Sequence, residues 1–136
     1  MEKIRVDIDW CDKNFGASIV DYAGNSIVVT AKTYDELLQE IKAAIRDHID
    51  GLISDGDKVP EWFKNGAYSL DYKLTTAALL RTCEPYASIA AISRVTGINQ
   101  QLLSHYANGI KKPRAAQRKR IVDGIHQIGE KLITVC

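Results

Sequence analysis

The stretch Ile92-Ser93-Arg94-Val95-Thr96-Gly97-Ile98-Asn99-Gln100-Gln101-Leu102-Leu103-Ser104-His105-Tyr106-Ala107-Asn108-Gly109 carries two short helical patterns separated by a glycine. The first begins upstream, where Ile89, Ile92 and Val95 recur at helical spacing through Ala87 to Val95. Gly97 breaks it, because glycine alone reaches positive φ without strain, and Ile98 follows as an apolar plug. Asn99 is a good N-cap for a second helix over Asn99 to Asn108, which Gly109 ends. In that helix Leu102, Leu103 and Tyr106 point inward, leaving Gln100, Gln101, Ser104 and His105 on the outer face. Two short helices joined by a tight turn, the second polar outside, form the helix-turn-helix arrangement that sets one helix in a DNA major groove.

The chemistry of the neighbouring residues agrees. Gln and Asn pair bidentately with adenine, and Ser and His offer single hydrogen bonds, so Asn99, Gln100, Gln101, Ser104 and His105 are the candidate base readers. Immediately downstream, Lys111, Lys112, Arg114 and Arg118 are the candidate phosphate contacts, with Lys119 and Arg120 adding charge. A basic face that is merely solvated is the competing reading. Pro113 and Ala115-Ala116 open a last helix striped by Ile121, Ile125, Ile128 and Leu132, and an earlier helix over Thr76 to Arg81 supplies Leu79 and Leu80. A helical domain of about 60 residues buries little apolar surface alone. A homodimer or higher even oligomer, docked through the last helix, is therefore expected, and it suits a paired operator.

The other half has a different grammar. Ile4, Val6, Ile8 and Trp10 alternate with polar neighbours, as in a strand with one buried face. Phe15 to Asp21 and Ile27 to Thr30 are β-rich runs separated by Tyr22-Ala23-Gly24-Asn25-Ser26, a hairpin turn, so three antiparallel strands in a meander are expected. Thr33-Tyr34-Asp35-Glu36 has the form of a capping box. The helix it opens carries Leu37, Leu38, Ile41, Ile45, His48, Ile49 and Leu52 as one stripe to lie across the sheet. Ser54 to Pro60 reads as a loop, and Trp62 and Phe63 after it cover a core edge or form an interaction patch. Tyr68 to Lys73 predicts a fourth strand. The fold class is thus α+β, with a β-β-β-α-β domain over 1–74 and an all-α domain over 75–136.

Net charge divides at the same place. The whole chain carries only +1. Met1 to Leu74, however, has 14 acidic and 9 basic residues, net −5, while Thr75 to Cys136 has 3 acidic and 9 basic, net +6. Opposite signs point to two surfaces with different partners, the basic one a polyanion. Docking of the basic half on the acidic half is the alternative. With 46% hydrophobic and 26% charged residues the composition is that of a globular protein. No run approaches the roughly 18 apolar residues of a membrane span, and Met1 to Asp12 is unlike a signal peptide, so a cytoplasmic protein without membrane contact is expected.

Signals for chemistry are sparse. Cys11, Cys83 and Cys136 are scattered, without a C-x-x-C pair or zinc spacing, and read as free thiols. A nucleophilic cysteine served by His48, His105 or His126 is the functional alternative. No phosphate loop and no metal cluster is evident. Asp7 and Asp9 share one strand face and could hold Mg²⁺ in a nuclease, but that chemistry needs further carboxylates. Neither a cofactor nor a metal is expected, and no enzymatic activity.

Two resemblances join these readings. Ile92-Ser93, Gly97-Ile98, Leu103-Ser104, Tyr106 and Asn108-Gly109-Ile110-Lys111-Lys112-Pro113 resemble the phage-repressor (Xre-type) helix-turn-helix. The β-β-β-α-β order with Trp10, Asn14-Phe15-Gly16-Ala17, Thr33-Tyr34-Asp35-Glu36 and His48 resembles the truncated RNase H-like domain of HicB antitoxins. This resemblance spans nearly the whole chain. It implies a type II antitoxin whose N-terminal domain, lacking a working catalytic set, neutralises a HicA-like mRNA-cleaving toxin, while the C-terminal domain represses its own operon on double-stranded operator DNA. Asp7, Asp9 and Asp12 are then the candidate toxin contacts. A solitary or ligand-responsive transcriptional regulator is the alternative.

Overall fold

A computed structural model describes all 136 residues, in two compact units, Met1–Thr75 and Thr76–Cys136. Thr75 belongs to the first because its N–H donates to Ile8 O and its hydroxyl to Asp9 Oδ1.

The first unit is a four-stranded mixed sheet with helices on one face. β1 (Glu2–Cys11), β2 (Asn14–Val20) and β3 (Ser26–Ala31) form the antiparallel meander, and β4 (Tyr68–Leu74) pairs parallel to β1, giving the order β3-β2-β1-β4. Register follows the alternation: Val6 opposes Ile19, Ile8 opposes Ala17, and Ile19 opposes Ile27. One face is therefore continuous and apolar, with Ile4, Val6, Ile8, Phe15, Ala17 and Ile19 buried. α1 (Tyr34–Ser54) covers it with Leu37, Ile41 and Ile45. Its N-cap is made by Thr33, whose Oγ1 accepts from Glu36 N at 3.2 Å; only this half of the capping box forms.

Two details go beyond the sequence pattern. The segment after Pro60 is a short helix, α2 (Glu61–Lys64), where a loop was expected. It buries Phe63 and joins Tyr22, Trp62 and Tyr68 in an edge-packed aromatic cluster, so this pair does close a core edge. The β1–β2 hairpin turns on Asp12 and Lys13, both at positive φ although neither is glycine.

The second unit holds α3 (Thr76–Cys83), α4 (Ile89–Thr96), α5 (Gln100–Ala107) and α6 (Ala115–Val135). Leu80, Ala87, Ile92, Ile98, Leu103, Tyr106, Ala107 and Ile121 form its core, with Ile125 and Ile128 packed against them. Leu132, the next residue of the α6 stripe, is exposed, as are Ile133 and Val135. α6 passes so close to α4 that a Cβ on Gly124 would meet Thr96 Cγ2 at 2.4 Å. No helix of the chain is long and apolar enough to cross a membrane.

Candidate nucleic-acid interface

The turn between α4 and α5 is built from short polar side chains. Gly97 takes φ +74° and its N–H donates to Ser93 O at 2.8 Å. Thr96 Oγ1 donates to Ile92 O at 2.7 Å and accepts from Ile98 N at 3.2 Å, while Ser93 Oγ donates to Ile98 O at 2.6 Å. These bonds satisfy groups that the helix break would orphan, and buried Ile98 anchors the turn from below. α5 then leaves in a fixed direction, capped by Asn99, whose Oδ1 accepts from Gln101 N at 2.8 Å.

The candidate base readers do not all stand alike. With 3.6 residues per turn, Gln101 and His105 lie opposite the buried Leu103, and Gln100 and Ser104 flank them on one side. Gln100 and Gln101 are exposed; Ser104 and His105 are half-buried. Ser104 lines a small cleft with Leu80, Arg81, Glu84 and Asn108, beside α3. Asn99 is exposed but commits its side-chain oxygen to the cap. The outward chemistry of α5 is therefore carried by Gln100, Gln101 and His105.

The cations sort in the same way. Lys111, Lys112 and Arg114 are exposed and form no ion pair. Arg118 differs from the expectation: it is half-buried, and its guanidinium donates to Thr76 Oγ1 at 2.9 Å, fastening α6 to α3. Lys119 pairs with Asp123 one turn on. Arg120 lies across the turn, with Nη2 at 3.2 Å from where a Gly97 Cβ would stand. Arg81 had no signal in the sequence, yet its Nε donates to Ala107 O at 3.1 Å and Nη2 to Asn108 Oδ1, tying α3 to the C-terminus of α5. Only the topology brings these groups together, so periodicity could not have found them.

On the acidic unit, Asp7 and Asp9 share the sheet face that α1 leaves open, and Asp12 sits in the hairpin turn. Arg5 Nε pairs with Asp7 at 3.0 Å. Asp9 Oδ1 accepts from Thr75 Oγ1 at 2.7 Å and from Trp10 N at 2.8 Å. No group of three or more His, Cys, Asp or Glu is placed to hold a metal. All three cysteines are free, and burial pushes the Cys83 thiol up, the direction opposite to nucleophile activation. The chain matches no family model, no curated protein and no solved structure.

Proposed function

We propose that this chain is a HicB-like antitoxin: a helix-turn-helix repressor whose basic unit docks on operator DNA and whose acidic unit binds a small basic partner. One observation carries the DNA half. A helix presenting Gln100, Gln101 and His105 leaves a turn locked by Ser93, Thr96 and Gly97, and is followed at once by the unpaired cations Lys111, Lys112 and Arg114. A fixed donor and acceptor array supplies base readout, and exposed surface cations supply the phosphate attraction that holds it in register. The net +6 of this unit adds a long-range field.

The partner half rests on the resemblance and on charge. A ribonuclease toxin of the HicA type is proposed as the partner, with Asp7, Asp9 and Asp12 offered to its basic RNA-binding surface. The protein acts in the cytoplasm as a dimer or higher even oligomer. The exposed Leu132 and Val135, which continue the α6 stripe past the core of their own unit, supply an apolar face for that association. Co-expression with the neighbouring small gene tests the reading, by rescue of growth and by retention of the upstream DNA fragment in a mobility-shift assay. Absence of both rescue and DNA retention is incompatible with it.

A further inference from the structure

The acidic unit carries a second surface of opposite character. α1 packs chiefly on β2 and β3, which leaves the helix-side residues of the outermost strand, β4, incompletely covered. Between them lies a groove of about 480 Å³. Its apolar floor includes Ile45, Ile49 and Leu70. Lys42, Arg46 and Lys64 line it, none of them in an ion pair, and Tyr68 completes the wall.

This arrangement is not what fold stability alone would select. Lys42 and Arg46 stand at i, i+4 on α1, where like charges repel. They share the groove with Lys64 although the unit carries a net −5 and has acids to spare. Asp50 is the one acid on the groove, and it pairs with none of the three. The Tyr68 phenol offers a hydroxyl donor, and burial raises it further above its usual 10, against the nearby charge of Arg46. The volume falls within the roughly 300–1,000 Å³ typical of small-ligand sites. Such sites combine an apolar body with a few convergent polar groups, as here.

We propose that this groove binds a small organic anion, a phosphate or carboxylate attached to a compact apolar body, with Lys42, Arg46 and Lys64 holding the anion and Ile45, Ile49 and Leu70 the body. The groove lies on the helix side of the sheet, whereas Asp7 and Asp9 lie on the open face, so the site is separate from the proposed partner contacts.

The test is calorimetric titration of the full chain with 1-naphthyl phosphate, inorganic phosphate and 1-naphthol. Naphthyl phosphate is expected to bind about tenfold or more tighter than either fragment, because only it engages both cations and floor. A Lys42→Glu, Arg46→Glu double variant should lose about tenfold in affinity for it, and Lys64→Glu should weaken it in the same direction. All three side chains are exposed, and unchanged tryptophan fluorescence and circular dichroism verify the fold. Equal affinity for the three probes, no binding at millimolar concentration, or binding that survives the charge reversals overturns the proposal. None of these readouts involves DNA or a protein partner, so failure here is distinguishable from failure of the repressor reading.

Discussion

His48 Nε2 on α1 lies 2.8 Å from Oδ2 of Asp21, a carboxylate with no exposed side-chain surface, at the end of β2. The same carboxylate accepts from Ala23 N and Asn25 N, both at 2.8 Å, and from Asn25 Nδ2 at 3.1 Å. One buried side chain thus shapes the β2–β3 turn and ties it to the helix that covers the sheet. Removing it would take the shared acceptor from four part-buried donors together, which costs more than the loss of one exposed hydrogen bond.

The pH dependence of this tie has a definite sign. Burial raises the Asp21 carboxyl, but the hydrogen bonds from His48, Asn25 and Ala23 outweigh burial and hold it below its usual 3.8. Its contribution to stability is therefore present above the unfolded value and disappears as pH falls through the lower folded value. Asp21→Ala should destabilise the first unit by about 1–3 kcal/mol at pH 7, and the difference from the parent should shrink below about pH 4. Urea unfolding followed by tryptophan fluorescence measures this cleanly, because Trp10 and Trp62, the only tryptophans, both belong to that unit. A difference unchanged down to pH 2 would contradict the assignment.

Two glycines on α6 should respond oppositely to alanine. Gly129 is exposed with open space around its Cβ position, so Gly129→Ala gains about 1 kcal/mol from helix propensity alone. Gly124 is buried, and its new methyl would stand 2.4 Å from Thr96 Cγ2, in the residue that locks the α4–α5 turn. Gly124→Ala should therefore lose about 1–3 kcal/mol, with α6 pushed off α4. Thermal melts by circular dichroism rank the two; a higher melting temperature for both would show that α6 sits less tightly than described.

The β1–β2 hairpin holds Lys13 at φ +70°, a conformation that costs a non-glycine residue about 1–2 kcal/mol. Lys13→Gly relieves that strain but frees the unfolded chain by about 0.5–1 kcal/mol, so a net gain of about 0.5 kcal/mol is expected. Asp12 is left intact in this variant, and capture of a basic partner should be unchanged if Asp12 contributes a contact there. A loss of stability in urea would place the strain elsewhere.

What the sequence disclosed follows from what periodicity encodes. Alternation over Ile4 to Trp10 and the 3–4 spacing over Leu37 to Ile49 reappear as the two faces of one core, since each element must bury its apolar side. Gly97 and Asn99 were legible because a positive φ and an N-cap demand particular residues. α2 was missed because four residues are too short for a periodic signal, and Pro60 reads equally as loop. Asp21–His48, Arg81–Ala107 and Arg118–Thr76 were hidden for another reason. They join residues 27, 26 and 42 positions apart, and nothing local distinguishes an arginine that fastens two helices from one that awaits a phosphate.

That last distinction yields the sharpest test of the DNA-binding reading, because Lys112 and Arg118 looked equivalent as sequence and do not in structure. Lys112 is exposed and unpaired, so Lys112→Ala should weaken every DNA sequence alike and reduce the salt slope of binding by about one, with no change in melting temperature. Arg118 donates to buried Thr76, so Arg118→Ala should destabilise the helical unit by about 1–3 kcal/mol while the salt slope of the protein that remains folded is little altered. Gln101→Ala, on the outermost line of α5, should instead cost about 1–3 kcal/mol on the cognate operator and little on random DNA. Fluorescence anisotropy across a salt series separates the three signatures. If Gln101→Ala and Lys112→Ala both leave operator affinity and salt slope untouched, α5 is not the helix that meets the groove.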